Sequence, residues 1–220
     1  MKLTPAPQDG AQSLREILMF GLNTLALRLD DDQCERLLQY IELLAKWNKV
    51  YNLTAVREPR RMVGQHILDS LSVIPSLGDC TTIIDVGTGA GLPGIPLAIA
   101  NPALQVTLLD TVSKKTAFVR HTIGELSLGA NAVAINARVE DFQPAQPFDA
   151  VISRAFAEIK DFVEGAGHLC KADGRMFAMK GVYPHDEIAR LPRGFSVESV
   201  IALAVPTVNS QRHLVVIRKT

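Results

Sequence analysis

Hydrophobic residues recur at helical spacing through the first third of the chain, and this pattern predicts three amphipathic helices. The first covers residues 14–29 and the second covers residues 32–49. Asp32 and Glu35 stand three positions apart at the start of the second helix, as in a capping box. The third helix spans residues 59–74, so the first third of the protein is predicted to be helical.

From about residue 77 the pattern changes to short apolar runs that alternate with helical segments. The predicted strands are residues 81–86, 105–110, 131–136, 148–153, 175–180, 196–205 and 213–218. The predicted helices between them are residues 95–101, 113–126, 158–169 and 184–191. Because no helix separates the last two strands, we expect them to pair antiparallel.

This alternation predicts an α/β protein of three layers, in which helices cover both faces of a mostly parallel, Rossmann-like sheet. About five parallel strands and the final hairpin give a sheet of roughly seven strands. We therefore predict an N-terminal helical region at residues 1–76, followed by a sheet domain at residues 77–220.

Composition narrows the functional classes. The chain has 220 residues, 47% of them hydrophobic, which is enough for a conventional folded core. No apolar run approaches the roughly 18 residues of a membrane span, so no membrane partner is expected. Lys and Arg number 23, as do Asp and Glu, so the net charge is zero and any nucleic-acid contact would need a local basic patch.

The cysteines indicate a reducing compartment. Cys34, Cys80 and Cys170 are odd in number, far apart and without the spacing of a zinc site. The first twenty residues also lack the apolar segment of a secretory signal. We therefore expect a cytoplasmic protein with no bound metal and no disulfide framework.

A glycine-rich loop follows the first predicted strand and opens a helix, at residues 85–94. A dinucleotide-binding loop would need a third glycine at the position of Leu92, and no Gly-Lys-Ser/Thr of a phosphate loop follows. Asp85, two positions before Gly87, suits a cationic ligand better than a diphosphate. Gly87 and Gly89 therefore point to S-adenosylmethionine, which carries a sulfonium and an ammonium and no phosphate.

Three further residues complete a candidate cofactor site. Asp110 ends the second strand and is predicted to accept hydrogen bonds from both ribose hydroxyls, although it could instead cap the helix that starts at Ser113. Val139 and Glu140 follow the third strand, where their backbone groups could contact an adenine edge. The alternative for these two residues is a plain turn with a solvated acid.

Arg154 follows the fourth strand, at the sheet edge where open α/β sheets bind ligands. Its guanidinium could orient the cofactor or pair with guanine O6 or with a phosphate. The alternative is a structural ion pair with Asp149 or Glu158.

Three more residues are candidates for substrate binding. Lys180 ends the next strand on the same edge and could contact phosphate or guanine O6, or could simply be solvated. His66 lies one helical turn before Asp69, and Arg212 precedes the last strand. A lone histidine is more often a satisfied structural group than a functional one.

Arg57, Arg60 and Arg61 cluster where the third helix begins. Cations at a helix N-terminus oppose the helix dipole, so helix stability does not explain them. Contact with RNA phosphate is one explanation and a solvated face is the other. Trp47 could stack on a base, but we expect it to pack between helix and sheet.

The residues after the fourth strand constrain the acceptor chemistry. Amino-group methyltransferases commonly carry an Asn/Asp-Pro-Pro-Tyr/Phe loop there, whereas this chain has Ser153-Arg154-Ala155-Phe156. No cysteine lies in a loop after a strand of the active face, as methylation of pyrimidine C5 would need. Guanine N7 has a free lone pair and loses no proton, so the lack of an evident base is consistent with it. No catalytic residue is assigned.

Several separate motifs resemble, in order, the ribosomal RNA small subunit methyltransferase G family, also called glucose-inhibited division protein B. They are Trp47-Asn48-Lys49-x-Tyr51-Asn52-Leu53-Thr54, His66-Ile67-Leu68-Asp69-Ser70, the loop at residues 85–94, Ile152-Ser153-Arg154-Ala155-Phe156, Lys180-Gly181 and Arg212-His213-Leu214-Val215-Val216-Ile217. The resemblance extends from Trp47 to the C-terminus, and more loosely over the preceding helices.

The resemblance implies a class I methyltransferase fold, a seven-stranded sheet with an antiparallel last strand. It implies methyl transfer from S-adenosylmethionine to N7 of one guanosine in 16S (small-subunit) ribosomal RNA. Its cofactor positions, carried over by motif, are Gly87, Leu92, Val139, Glu140 and Arg154. The partner would be the RNA itself or an assembling small ribosomal subunit.

Other functions are compatible with the same residues. A methyltransferase of this fold could act on another RNA, a small molecule or a protein, and the neutral net charge mildly favours the last two. A nicotinamide-dependent oxidoreductase is disfavoured by Leu92. A non-catalytic RNA-binding factor is disfavoured because Asp85, Gly87, Gly89 and Asp110 are all intact.

Overall fold

Seven strands form one central sheet in the computed structural model, which describes residues 13–154, 156 and 158–220. In chain order the strands are β1 Thr82–Val86, β2 Gln105–Asp110, β3 Ala132–Asn136, β4 Phe148–Ser153, β5 Cys170–Lys180, β6 Phe195–Ala202 and β7 His213–Lys219. Their spatial order is β3-β2-β1-β4-β5-β7-β6. Only β7 runs against its neighbours, so the predicted parallel sheet with an antiparallel last strand is confirmed.

Helices cover both faces of this sheet. They are α1 Leu14–Thr24, α2 Asp31–Tyr51, α3 Pro59–Met62, α4 Asp69–Leu71, α5 Ile74–Leu77, α6 Gly94–Ala100, α7 Ser113–Glu125, α8 Ile159–Ala166 and α9 His185–Ala189, with a π-helix at Val63–Leu68 between α3 and α4 and a 3₁₀ turn at Gly167–Leu169 after α8. Successive strand residues point to opposite faces, as Ile83 and Ile84 do. One hydrophobic core therefore packs under α1, α2, α6 and α7, and a second packs under α8.

The first two helices begin and end differently from the prediction. α1 ends at Thr24 rather than residue 29. The N-cap of α2 is Asp30 rather than Asp32, and its capping-box partner is Gln33 rather than Glu35. The side-chain amide of Gln33 also donates to the carbonyls of Ile99 and Ala100, at 3.0 Å each, and so satisfies the C-terminal end of α6.

The predicted single helix at residues 59–74 is broken into several pieces. α3 passes into the π-helix, α4 ends at Leu71, and α5 then begins at Ile74. Pro75 lies in the first turn of α5, where a missing N–H costs nothing. The π-helix packs closely on the β6–β7 loop, because a Cβ at Gly64 would collide with Thr207 Oγ1. Short π-helical turns occur frequently at functional sites.

Trp47 packs between two helices, and the expectation of a helix–sheet position was wrong. Its ring centroid lies 5.4 Å from that of Phe118 and 5.2 Å from that of His121, both on α7. No helix of the described ranges is long and apolar enough to cross a membrane.

Candidate active site

The glycine-rich loop reverses the chain between β1 and α6 in a conformation that side chains disfavour. Gly87, Gly89 and Gly91 have φ values of 73°, 61° and 92°, in the left-handed region that glycine adopts without strain. The N–H groups of Gly87 and Thr88 both donate to the carbonyl of Leu109, at 2.9 and 3.0 Å, which fixes the loop over the end of β2.

Asp85 holds this loop closed from inside the protein. Its Oδ2 accepts hydrogen bonds from Thr88 Oγ1 at 2.6 Å and from the N–H of Gly94 at 2.8 Å. Complete burial raises the pKa of Asp85 to about 6, although these two hydrogen bonds oppose the shift. The other oxygen, Oδ1, is buried and receives no hydrogen bond from the described residues. A buried acceptor without a donor fits a cationic, hydrogen-bonding cofactor at this loop.

Asp110 ties the end of β2 to the glycine loop; it is not the N-cap of α7, which is Val112. Its Oδ1 accepts from the N–H of Val112 at 2.8 Å, just before α7, while Oδ2 accepts from the N–H of Gly89 at 2.9 Å. Lys115 Nζ lies 3.8 Å from the same Oδ2. A carboxylate has about four lone-pair positions, so these contacts leave acceptor capacity for ribose hydroxyls.

A crevice of about 370 Å³ lies beside the loop, and we call it the glycine-loop crevice. Four of the predicted cofactor positions line it: Gly87, Asp110, Val139 and Glu140. Lys115 and Phe156 also line it. Gly89 contributes through its hydrogen bond to Asp110, and Leu92 is only 4% exposed and lies outside the lining.

A second cavity of about 330 Å³ lies next to the crevice, and we call it the polar cavity. It brings together the three predicted substrate residues His66, Lys180 and Arg212. Arg154, predicted at the cofactor, lines this cavity and not the glycine-loop crevice. Residues from the first third of the chain and from the ends of β4 and β5 therefore meet here.

Asp69 organises one wall of the polar cavity. It is 2% exposed, and each of its carboxylate oxygens binds one arginine, Oδ2 to Arg154 Nη1 at 3.1 Å and Oδ1 to Arg212 Nε at 3.0 Å. Arg154 Nη1 also donates to the carbonyl of Gln65 at 3.2 Å.

The structural ion pair expected as the alternative for Arg154 exists with a different acid, so both partners suggested for it were wrong. Asp149 is paired with Lys171 at the amino end of β4, the end of the strand away from Arg154. Glu158 is paired with Arg190 at 3.5 Å.

His66 is a satisfied histidine on the cavity wall. Its Nδ1 lies 3.0 Å from the carbonyl of Gln65, and its Nε2 lies 2.9 Å from Thr54 Oγ1. The network assigns the proton to Nδ1, because a carbonyl can only accept, and the Thr54 hydroxyl then donates to Nε2. Burial lowers the pKa of His66 to about 4, and the charge of Arg154 adds to the effect. The imidazole is therefore neutral near pH 7.

Lys180 joins the two cavities. Its Nζ forms an ion pair of 2.7 Å with Glu187 and donates at 3.3 Å to the carbonyl of Phe156, which lines the glycine-loop crevice. A chemical group transferred from the crevice to the cavity would therefore pass beside the carbonyl of Phe156.

Three contributors to the site were not predicted from the sequence. Lys115 is one turn into α7, and Glu187 lies in the short α9, and neither position carries a motif signal. Tyr40 Oη donates to the carbonyl of Ala90 in the glycine loop at 2.7 Å. Its spacing from Leu37 and Leu44 on the apolar stripe of α2 could have indicated its burial, although not its partner.

The strand order and the acidic Gly-x-Gly-x-Gly loop define a class I S-adenosylmethionine-dependent methyltransferase. Solved structures of this fold superpose on the chain. The O-methyltransferase TomG from Streptomyces achromogenes, in complex with S-adenosylmethionine, matches with a TM-score of 0.59 and 12% identity, over 96% of this chain and 100% of that chain. TrmN from Thermus thermophilus matches with a TM-score of 0.56 and 19% identity, over 69% of this chain and 48% of that chain.

The sequence match is more specific than the fold. The model of the family rRNA small subunit methyltransferase G matches residues 33–215. Relatives with the name ribosomal RNA small subunit methyltransferase G are 52% identical in Chromobacterium violaceum, over 89% of this chain and 93% of that protein, and 50% identical in Burkholderia cenocepacia, over 95% and 94%. The chain belongs to the rRNA small subunit methyltransferase G family.

Proposed function

We propose that this protein transfers a methyl group from S-adenosylmethionine to N7 of one guanosine in 16S ribosomal RNA. The observation that carries the proposal is the pair of adjoining cavities at the carboxyl ends of β1, β4 and β5, one beside the glycine loop and one walled by arginines. The first suits the cofactor and the second suits an electron-rich base.

The glycine-loop crevice would hold the cofactor through residues already on its wall. Asp110 offers acceptor capacity for the ribose, and Val139 and Glu140 offer backbone groups at the far end of the crevice. The cofactor supplies a sulfonium-bound methyl group for in-line displacement. The chain has mainly to align the acceptor with that methyl group and to exclude competing nucleophiles.

The polar cavity supports N7 as the acceptor because no base is available among the described residues of its wall. Both oxygens of Asp69 are bound by arginine, and the Nε2 lone pair of His66 takes the Thr54 hydroxyl. Lys180 Nζ is engaged in its ion pair with Glu187. Attack by an amino or hydroxyl group must release a proton in the reaction, whereas attack by guanine N7 releases none.

The cationic groups of the cavity supply recognition. An N–H group on the guanidinium of Arg154 or Arg212 can donate to guanine O6, which leaves the N7 lone pair free to attack the methyl group. We place Arg154 on the acceptor side of the methyl group for this reason. Asp69 keeps both guanidinium groups in position.

We extend the proposal to the partner and the compartment. The partner is small-subunit ribosomal RNA, alone or within an assembling particle, and the three unpaired thiols fit a reducing cytoplasm. Residues 1–76 would act as a helical region that supports the methyltransferase domain at residues 77–220.

The test is incubation with labelled S-adenosylmethionine and small ribosomal subunits, or their RNA, from cells that lack this gene. We expect label in the RNA, recovered as N7-methylguanosine after nucleoside digestion. Gly87→Val serves as the inactive control. Label in another nucleoside, in protein only or in no product would overturn the proposal.

A further inference from the structure

A large groove that the proposed chemistry does not use opens beside the polar cavity. Its volume is about 550 Å³, and we call it the arginine groove. One wall carries Arg60 and Arg61 of α3 and Gln65 of the π-helix, and the other is the β6–β7 loop at Val208, Asn209 and Ser210. It exceeds both cavities described above in volume.

The groove has the charge that a phosphodiester requires. Two of its lining residues are arginines, and no carboxylate lines it in the part of the chain that the structure describes. Glu58, the N-cap of α3, is exposed and stands outside the lining. Because cations at the start of α3 oppose the helix dipole, local helix stability does not account for Arg60 and Arg61. A guanidinium fork matches a phosphate group in geometry and charge.

The groove is continuous with the polar cavity. Gln65 lines both. Ser210 lines the groove and accepts a hydrogen bond of 2.8 Å from Arg212 Nη1, and Arg212 lines the polar cavity. A strand with one base in the cavity would therefore have its adjoining backbone at this junction.

The groove is built by close packing and is not an accident of loose loops. Gly64 has no side chain, which lets the β6–β7 loop approach the π-helix at Thr207. Thr207 itself has a φ of 66°, a conformation that β-branched residues rarely adopt. The surrounding structure must hold it there, so the second wall of the groove has a defined position.

We propose that the arginine groove binds the sugar-phosphate backbone of the RNA strand next to the methylated guanosine, with Arg61 contacting a phosphate. Enzymes that modify a base extrude it into a pocket and hold the neighbouring backbone outside that pocket. The inference rests on the proposed function, since it takes the polar cavity as the acceptor site.

The experiment compares Arg61→Gln with Arg193→Gln. Arg61 and Arg193 are both exposed, so both variants remove one surface charge. Arg193 precedes the start of β6, whereas the groove lies beside the β6–β7 loop at the other end of that strand. We would measure RNA affinity by filter binding at several salt concentrations, together with methylation kinetics. Titration with S-adenosylmethionine verifies that each variant retains its cofactor site and hence its fold.

For Arg61→Gln we expect the KM for RNA to rise at least fivefold at near-physiological salt, with kcat and cofactor affinity unchanged. The slope of log affinity against log salt should fall by about 0.7, as for one lost phosphate contact on a single strand. Arg193→Gln should leave the KM for RNA within twofold of the wild-type value and should leave the salt slope unchanged. Arg61→Lys, which keeps the charge, should recover part of the affinity.

Equal effects of Arg61→Gln and Arg193→Gln, or an unchanged salt slope in Arg61→Gln, would overturn the inference. The two proposals fail separately. If wild-type protein binds this RNA with the Arg61 dependence but transfers no methyl group to guanine N7, the groove assignment stands and the proposed function fails.

Discussion

The N–H of Gly94 donates a hydrogen bond of 2.8 Å to the carboxylate of Asp85, nine residues earlier, and so ties the first turn of α6 to the end of β1. The glycine loop lies between these two points. The carboxylate is fully buried, yet its Oδ1 receives no donor from the described residues. The loop is therefore closed around a carboxylate of which only Oδ2 receives hydrogen bonds from the described residues.

We expect this arrangement to make cofactor binding depend on pH. Burial raises the pKa of Asp85 to about 6, so the carboxyl becomes neutral below that pH and its attraction for a cationic cofactor is lost. We expect the affinity for S-adenosylmethionine to fall by up to about tenfold between pH 7 and pH 5. Calorimetric titration at pH 7 and at pH 5 measures this affinity. Asp85→Asn should bind more weakly and without this dependence, and a flat wild-type profile would contradict the prediction.

Gly87 is expected to be indispensable for cofactor binding. A valine there would be strained at a φ of 73°, and Gly87 lines the crevice that the cofactor would occupy. Gly87→Val should lose at least tenfold in affinity for S-adenosylmethionine while remaining folded. Gly129→Val is the matched control, because a Cβ at Gly129 meets no atom within 4 Å. Equal affinities in the two variants would refute the assignment of the loop.

Arg154→Ala should reduce methyl transfer more than it reduces stability. The side chain lines the polar cavity and shares Asp69 with Arg212, so its loss leaves that carboxylate with Arg212 as its side-chain partner among the described residues. We expect kcat to fall at least tenfold, with a melting temperature lowered by only a few degrees. If the melting temperature falls and kcat does not, Arg154 is a structural ion pair alone.

A double-mutant cycle with Asp69→Asn tests how the carboxylate acts. Because Asp69 positions the guanidinium, its replacement should cost less activity in an Arg154→Ala background than in the wild type. Additive losses would show that the two side chains act independently.

Asp149, at the amino end of β4, is expected to stabilise the folded protein at neutral pH and to lose this effect in acid. Burial alone would raise its pKa, but hydrogen bonds from Lys171, Thr81 and Thr82 hold the pKa well below its usual range. The contribution is therefore present at neutral pH and is lost as the pH falls below about 4. Asp149→Asn should lower the free energy of unfolding by about 1–3 kcal/mol at pH 7.

Urea denaturation at pH 7 and pH 3 measures this difference. Asp79→Asn, at an exposed position nearby, should change the free energy of unfolding by less than about 0.5 kcal/mol. If Asp149→Asn lowers the free energy of unfolding by the same amount at pH 7 and at pH 3, the assignment is contradicted.

Much of the sheet could be predicted because its signals are local. β2 and β4 begin and end at the predicted residues, since each is an apolar run bounded by turn residues or by a helix start. The N-cap of α2 could not be chosen by the same means. Three consecutive aspartates offer equivalent caps, and the choice of Asp30 is accompanied by the contact of Gln33 with α6, a contact across 66 residues of chain.

The candidate site was predictable in its residue types more than in its pairings. His66, Lys180 and Arg212 were each weak candidates, and only the fold brings them to one cavity. The partners of Asp69 lie 85 and 143 positions away, beyond any periodicity in the sequence. Ion pairs over such separations are set by tertiary packing, so the local guess of Asp149 or Glu158 for Arg154 failed.

The hydrogen bond from Tyr40 to Ala90 has a consequence for protein engineering. The phenol comes from α2, is wholly buried, and supports a carbonyl of the loop at 2.7 Å. Burial raises the pKa of Tyr40 above its usual value, so the hydroxyl keeps its proton. A chimaera that joins this sheet to the N-terminal helices of another protein would have to supply an equivalent hydrogen-bond donor to Ala90. Without that donor, we expect the glycine loop to be less rigid.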